Sequence, residues 1–397
     1  MANVANLPPM TTSEIVYNGA FTPTTPPVKL DIKGNDAYRV VNGLFRHVWG
    51  LLITIGFTPT FGTNASALAK EKEWGLLANL RSKMATLDDA IVDNLTGEEL
   101  VLLAQEALRT LSPDAVEDYF PLTDLATSAN GVAQHLVLIV PYAPRFANQD
   151  LPDEQRFAGA APLYEFNNGE HVFTPFSSLT LQGSSGTVVT AASQTLKVEP
   201  LYVDLPFLLS YEPYYYKGQD VSGSKPKILD TTARKRVVAV LAKSSTPGAD
   251  MVLPSAYSVN FENTDYVSNR VPAAEIRDGN IMRQGAEAWQ ITADDYPVAL
   301  PIIVPSGKKL SQCPVIDGPI TLSNVFSGQA NAGRVISLHG ESLDEATMAK
   351  VLTNGGGAGG VPDSVAAAAA KAIAAGRTRS NTALVTQTVY TESNWGE

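Results

Sequence analysis

Cysteine is almost absent from this chain, since Cys313 is the only one among 397 residues. A single thiol cannot form a disulfide within the chain, and it cannot supply the several thiolates of a structural zinc site. The sequence therefore excludes both kinds of cross-link and is compatible with assembly in a reducing cytoplasm. We interpret Cys313 as a small buried or half-buried side chain rather than as a catalytic thiol.

Long apolar runs and an excess of positive charge are missing too. No stretch reaches the roughly 18 apolar residues of a membrane-spanning helix, and residues 1–10 have neither the basic nor the apolar segment of a signal peptide. The 29 Lys and Arg residues are outnumbered by 40 Asp and Glu residues, which gives a formal charge of -11. Such a surface repels phosphate backbones, so no specific nucleic acid is expected as a partner. The short basic run 234–236 is interpreted as a solvated strand end.

Recognisable catalytic and metal-binding motifs are lacking as well. The chain contains neither H-E-x-x-H nor G-x-S-x-G, and its histidines are scattered, at His47, His135, His171 and His339. The segment 355–360 matches G-x-G-x-x-G, but it follows a predicted helix instead of a strand, so it is not a dinucleotide fingerprint. We therefore predict no catalytic, cofactor-binding or metal-binding residue, no cofactor, and a protein that is not an enzyme.

Two pairs of neighbouring carboxylates are candidate acid/base or metal sites. They are Asp88-Asp89 and Asp294-Asp295. Neighbours along a strand point to opposite faces, so neither pair forms an acid/base dyad by itself. Whether a divalent ion binds at Asp294-Asp295 or at Asp317 is left open.

What the chain does contain is enough apolar material, 44% of its residues, for two cores. Residues 1–37 are rich in Pro and Thr and predict an extended N-terminal arm, either a disordered tail or a strap on a neighbouring subunit. Leu51, Ile53, Ile55 and Phe57 recur at every second position and predict a strand with one face on a core. Ile53 is accordingly placed on the inner face.

Further strands and one helix are predicted in residues 38–210. Residues 63–70 are interpreted as the partner of the first strand, and the continuous apolar run 134–140 as a strand buried on both faces. Thr96 and Glu99 form a capping box that begins a helix over about 97–110. The remaining strands are predicted at 76–84, where propensity also permits a helix, and at 90–95, 178–181, 195–198 and 201–205.

The second half repeats this pattern after a predicted linker, 211–228, which contains three successive tyrosines. Plain packing between domains is the favoured role of these tyrosines, because three neighbours cannot all point into one core. Short strands separated by turns fill 229–397, with a helical insertion near 342–376 that comprises helices at 343–352 and 364–375. The strands are predicted at 236–242, 256–261, 289–292, 298–304, 320–325, 334–339 and 383–391.

Several segments carry a resemblance to a known family. Residues 41–54 (VNGLFRHVWGLLIT) lead into a Thr-rich hairpin, and WGLLANLR at 74–81 and DNLTGEEL at 93–100 follow. This order resembles the opening of the double jelly-roll major capsid proteins of tailless icosahedral phages, the tectivirus–adenovirus lineage. LIVPYA at 138–143 and LPIIV at 300–304 are similar to later strands of the two rolls. The long segment 142–175 and the helices at 343–375 depart from a minimal version.

The resemblance implies an all-β fold, two consecutive jelly-roll β-sandwiches with a few short helices in the connections. It implies a structural protein that self-assembles as homotrimeric, pseudo-hexagonal capsomers into an icosahedral virion shell, assembled in the host cytoplasm. Its partners would be neighbouring capsomers, with penton or minor capsid proteins and an internal membrane surface as further candidates. The alternatives are a viral spike or fibre, a carbohydrate-binding β-sandwich and, third, a secreted β-sandwich hydrolase.

Overall fold

A computed structural model describes the strands of both halves of the chain. The described residues are 10–32, 40–41, 44–62, 67–69, 74–111, 127–176, 180–182, 188–205, 209, 211–228, 235–245, 254, 256–261, 264–267, 299–303, 313, 315–316, 318–327, 332–341, 343 and 347. The predicted strands at 289–292 and 383–391, the glycine loop 355–360, Asp294-Asp295 and Asp317 lie outside them. The predicted helices at 343–352 and 364–375 do so too, apart from residues 343 and 347.

The first half is built from antiparallel strands with one main helix. The strands are β1 Met10–Ser13, β2 Tyr17–Ala20, β3 Val28–Lys29, β4 Val40–Val41, β5 Leu44–Phe61, β6 Ala67–Ala69, β7 Leu77–Lys83, β8 Val92–Leu95, β9 Thr127–Ala129, β10 Gln134–Pro141, β11 Ala161–Pro162, β12 Glu170–Pro175, β13 Thr180–Gln182 and β14 Val188–Leu205. The helices are α1 Gly97–Leu111, α2 Asp153–Arg156 and α3 Leu163–Asn167, with a 3₁₀ turn at Trp74–Leu76. The helix predicted at 97–110 is confirmed.

The second half continues in the same style. Its strands are β15 Tyr214–Ser222, β16 Lys227–Ile228, β17 Lys235–Lys243, β18 Ser258–Phe261, β19 Thr264–Val267, β20 Ala299–Ile303, β21 Val315–Ile316, β22 Ile320–Ser323 and β23 Ala332–Glu341.

The two halves have the same strand topology. In the first half the sheets run β2–β14–β5–β10 and β3–β12–β7–β8; in the second they run β15–β23–β17–β20 and β16–β22–β18–β19. When the principal strands of each half are numbered along the chain, both halves read 1-8-3-6 in one sheet and 2-7-4-5 in the other. This nesting of early and late strands is the double Greek key of a jelly roll. The predicted all-β fold with two consecutive jelly rolls is confirmed.

The two rolls share a continuous sheet. Strand β8 of the first roll pairs in parallel with β15 of the second, with Tyr216 opposite Val92 and Lys217 opposite Asp93. Residues 211–228 were predicted to be a linker, and this is wrong for their local structure, because 214–222 form the first strand of the second roll. Residues 214–216 form a strand and not a linker because their tyrosine rings are buried on both sides of the shared sheet. The proposed domain limits at 210 and 229 stay a prediction.

The N-terminal segment needs a second correction. Within 1–37, the described residues 10–20 lie along β14 of their own chain, with Ser13 opposite Leu201 and Tyr17 opposite Val198. Residues 10–29 thus supply β1, β2 and β3, the opening strands of the first roll, and are neither a tail nor a strap on another subunit. Phe21, which has no exposed surface, anchors the segment in the core.

Two strand predictions were wrong in detail. Residues 67–69 pair with Thr127–Ala129 and not with β5, whose described partners are β4, β10, β11 and β14. Strand β10 is not buried on both faces: Leu136, Leu138 and Val140 are buried, whereas Val137 is 52% exposed. The inner face of β5 is as predicted, with Ile53 fully buried.

Two apolar cores fill the molecule. The larger core lies between the sheets of the first roll and extends through α1 to those side chains of β15, β17 and β23 that do not belong to the core of the second roll. The smaller core fills the second roll. Helix α1 is buried along its described side chains and packs against β10, β17 and β23. Among the described residues no helix has the length and apolarity needed to cross a membrane.

Candidate functional site at the junction of the two rolls

The start of α1 places an acidic side chain between the rolls. The Thr96 backbone N–H donates to Oε2 of Glu99 at 3.0 Å, and the Glu99 N–H donates to Oγ1 of Thr96 at 3.3 Å. This is the predicted capping box. It fixes the Glu99 side chain, which has no exposed surface.

Arg334 of β23 reaches this carboxylate from the second roll. Its Nε donates to Oε1 of Glu99 at 2.5 Å, and its Nη1 donates to Oδ1 of Asp220 at 2.9 Å. Its Nη2 donates to the carbonyl oxygen of Asn94. Burial opposes the charge, but the hydrogen bonds to Glu99 and Asp220 raise the pKa of Arg334 above its ordinary value. The guanidinium of Arg334 therefore connects its own strand, β23, with α1, β8 and β15.

A second buried cation completes this group of charges. Lys243, at the end of β17, has a side chain that is 1% exposed. Its Nζ lies 3.5 Å from Oε2 of Glu98 and 3.6 Å from Oε1 of Glu99. Two cations from the second roll thus face two carboxylates from the first, and we call Glu98, Glu99, Lys243 and Arg334 the junction cluster. Buried charges are tolerated when they are paired in this way.

The close approach of β8 and β15 depends on a glycine. A Cβ at Gly218 would overlap the carbonyl oxygen of Asn94 and lie 2.5 Å from Nη2 of Arg334. Asn94 itself adopts a left-handed conformation, with φ of 55°. Only glycine lets the backbone of the second roll come this near to the first.

The three tyrosines of β15 divide between the two faces of the shared sheet. Tyr216 donates from its hydroxyl to the carbonyl oxygen of Pro141 at 2.6 Å, and Tyr214 lies in the same core. Tyr215 points the other way and stacks on His339, with ring centroids 5.3 Å apart. All three are buried. Tyr216 thus connects the two rolls, whereas the stacking of Tyr215 on His339 lies within the second roll.

Basic side chains surround Tyr215. The Nζ atoms of Lys217 and Lys235 each lie 5.5 Å from the centre of its ring, a cation–π distance. Lys235 is only 8% exposed, so the interpretation of residues 234–236 as a solvated strand end is wrong for this residue. Burial lowers the pKa of Lys217, although Asp89 and Asp93 raise it. Asp89 of the carboxylate pair at 88–89 therefore lies beside a lysine, 4.0 Å from its Nζ.

The histidines lie on different strands and are not brought together. His47 on β5 accepts a hydrogen bond from the Leu209 N–H at 3.3 Å. His171 on β12 lies 2.8 Å from both Ser82 Oγ and the Phe166 carbonyl. Burial lowers the pKa of each from 6.5 to about 4. Burial and the charges of Lys235 and Lys217 also lower the pKa of His339. His135 is exposed on β10.

The described residues include neither a metal centre nor a reactive thiol. Among them, no group of three or more His, Cys, Asp or Glu side chains converges as metal ligands do. Cys313 is 3% exposed, and burial raises the pKa of its thiol to about 11. The thiol is therefore protonated near neutral pH and is a poor nucleophile. What the junction cluster can do is hold two rolls in one orientation.

Sequence comparisons give no relative for this chain: no family model and no curated protein matches it. Solved structures do match. A chain in the atomic structure of Sulfolobus turreted icosahedral virus has a TM-score of 0.51 at 12% identity, over 96% of this chain and 99% of that one. At this identity the likeness shows the fold alone.

Two further matches are weaker. The crystal structure of the STIV MCP has a TM-score of 0.48 at 13% identity, covering 83% of this chain and 95% of that chain. The major capsid protein of bacteriophage PM2 has a TM-score of 0.42 at 10% identity, covering 84% and 97%. In both cases little of the sequence is shared.

Sequence reasoning missed the junction cluster. Glu99 was found as a capping residue, but its second role needs Arg334, which is far away in the chain. The available signal was weak: Lys243 directly follows the apolar run 237–242, and Arg334 directly precedes Val335 and Ile336. The positions of Lys243 and Arg334 in the sequence do not indicate which residues they contact.

Proposed function

We propose that this double jelly-roll protein is a structural capsid subunit and not an enzyme. The observation that carries the proposal is the fold match over 96% of this chain and 99% of a chain from an icosahedral virus. Because the identity is 12%, the likeness concerns the fold, and the function follows by inference from it.

The finer proposal is a homotrimer with a pseudo-hexagonal outline. Two rolls of the same topology, held side by side by one shared sheet, make each chain a pseudo-repeat. Three such chains around an axis present six similar sandwiches, which is the shape that tiles an icosahedral facet. Obligate contacts between copies bury on the order of 2,000 Å² or more.

The remaining parts of the proposal concern location and partners. We place the subunit in the virion shell after assembly in the host cytoplasm. Its main partners are copies of itself in the same and in neighbouring capsomers. Penton or minor capsid proteins and an internal membrane surface are further proposed contacts.

The test is the oligomeric state of the purified chain. Mass photometry should give a trimer, and negative-stain images at higher concentration should contain hexagonal particles or lattices. A stable monomer that binds glycans on an array would overturn the proposal in favour of a carbohydrate-binding sandwich.

A further inference from the structure

Strand β10 forms one edge of the first roll and presents an unusual outer surface. Among the described strands it pairs with β5 on one side only. Val137 is 52% exposed on this strand and Val132, just before it, is 49% exposed. These are two of the four large hydrophobic residues that are exposed in the described part of the chain.

The surface continues from β10 onto the neighbouring strand. Residues directly opposite in an antiparallel pair lie on the same face. His135, Val137 and Ile139 therefore share their outward face with Gly56, Thr54 and Leu52 of β5. We call these six residues, with Val132, the β10 face.

The β10 face carries no acidic or basic side chain apart from a histidine. No Asp, Glu, Lys or Arg occurs between Asp124 and Arg145. Its border on β14 is an ion pair, Lys197 with Glu199, in which Nζ and Oε2 are 2.7 Å apart. An uncharged centre with a paired polar rim is the usual anatomy of a protein–protein contact.

Edge strands usually carry features that prevent pairing with other chains. Charged residues, proline and bulges serve this purpose. Strand β10 pairs with β5 in unbroken register from Gln134 to Pro141, and its only such residue is the proline at its end. Helix α1 packs against β10 within the chain, so the part of the strand that stays exposed is its outward side chains, His135 and Val137.

The charge of the whole chain points to the occupant of this surface. A chain with a formal charge of -11 repels its own copies, so contacts between copies are opposed least where carboxylates are absent. We propose that the β10 face is a contact surface for a second copy of this chain. This rests on the proposed function and names the surface that self-assembly uses.

The first experiment compares matched aspartate variants by mass photometry. Val137→Asp should raise the dissociation constant of the oligomer by at least about tenfold, because it places an unpaired charge in the contact. Ile15→Asp and Val315→Asp are the controls, since both residues are exposed and apolar, at 54% and 40%, but lie elsewhere. Unchanged self-association of Val137→Asp, with wild-type circular dichroism, would overturn the inference.

The second experiment does not depend on a disruptive variant. Val137→Cys and Ile15→Cys are labelled with a maleimide, and the buried Cys313 thiol gives a low background because its pKa is raised to about 11. Labelling at position 137 should slow about tenfold or more in the oligomer, because a covered thiol is out of reach of the reagent. Labelling at position 15 should not slow. Protection that appears only with added phosphatidylcholine vesicles would overturn the inference in favour of a membrane surface.

The two proposals fail in different ways. A wild-type chain that stays monomeric at all concentrations contradicts the capsid function itself. If Val137→Cys forms the trimer and its introduced thiol remains fully reactive there, only the assignment of the β10 face is contradicted.

Discussion

The guanidinium of Arg334 donates to the carboxylate of Glu99 across 2.5 Å, and the two residues belong to different jelly rolls. Both side chains are buried, at 9% and 0% exposed, so neither can exchange its partner for water. Glu99 also caps α1, the helix that lies between the rolls. The Glu99 carboxylate thus takes part both in the start of α1 and in the contact that positions the second roll.

Replacing Arg334 should therefore be severely destabilising. Arg334→Met leaves Glu99 buried with one fewer cation, and the free energy of unfolding should fall by about 3–5 kcal/mol. Urea denaturation followed by tryptophan fluorescence measures the change. Arg81→Met is the control: its 2.6 Å ion pair with Glu170 is about half exposed and should contribute less than about 1 kcal/mol. Equal effects of the two substitutions would contradict the role of the junction cluster.

Gly218 makes a separate prediction about the backbone. Gly218→Ala introduces a Cβ that overlaps the Asn94 carbonyl oxygen, so β8 and β15 must separate. The cost should be at least about 2 kcal/mol, as for an overpacked core. Gly75→Ala, where a Cβ has no neighbour within 4 Å, should change stability far less. Thermal unfolding of the two variants side by side gives the comparison.

The sequence predicted local structure better than contacts between distant segments. Alternation placed Ile53 on the inner face, and the capping box placed the start of α1, because both depend on neighbours in the chain. The pairing of β8 with β15 and of Glu99 with Arg334 depends on residues that are far apart in the chain. Periodicity carries no signal for such partners. The same limit explains why residues 214–222, with their polar continuation, were interpreted as a linker.

The prediction of an extended arm at residues 1–37 was wrong for the N-terminal strands for a related reason. Prolines at 23, 26 and 27 argued against a strand, yet β2 and β3 lie on either side of them. The edge position of β2 on β14 supplies the backbone partners that hold this polar segment. Composition predicts that a segment is extended, but it does not predict where the segment lies.

Ile53 tests the register of the first roll. Ile53→Asp puts an unpaired carboxylate into the larger core and should cost several kcal/mol, enough to prevent a soluble folded chain. Ile53→Val removes one methylene and should cost only about 0.5–1.5 kcal/mol. Soluble yield and thermal unfolding of both variants measure the difference. A folded Ile53→Asp protein of wild-type stability would contradict the assigned inner face.

The buried histidines predict loss of stability in acid. His47 and His171 have a pKa of about 4 in the folded chain and of about 6.5 when unfolded, because burial disfavours the charged form. Between these values the unfolded chain binds more protons, so the free energy of unfolding falls as the pH falls. At pH 5 each histidine should account for about 2 kcal/mol of this loss. His339, whose pKa is also lowered, acts in the same direction.

Two carboxyl groups, one buried and one half-buried, oppose this trend and must be separated from it. Burial raises the pKa of Glu165 and of Glu341, so these groups bind protons more readily in the folded chain than in the unfolded chain and favour folding as the pH falls. A single-residue comparison isolates the histidine. His47→Gln should lose less stability between pH 7 and pH 5 than the wild type does, whatever its stability at pH 7. His135→Gln, at an exposed position, should follow the wild type. An unchanged pH dependence in His47→Gln would mean that His47 becomes protonated without unfolding, which its burial and its hydrogen bond from Leu209 argue against.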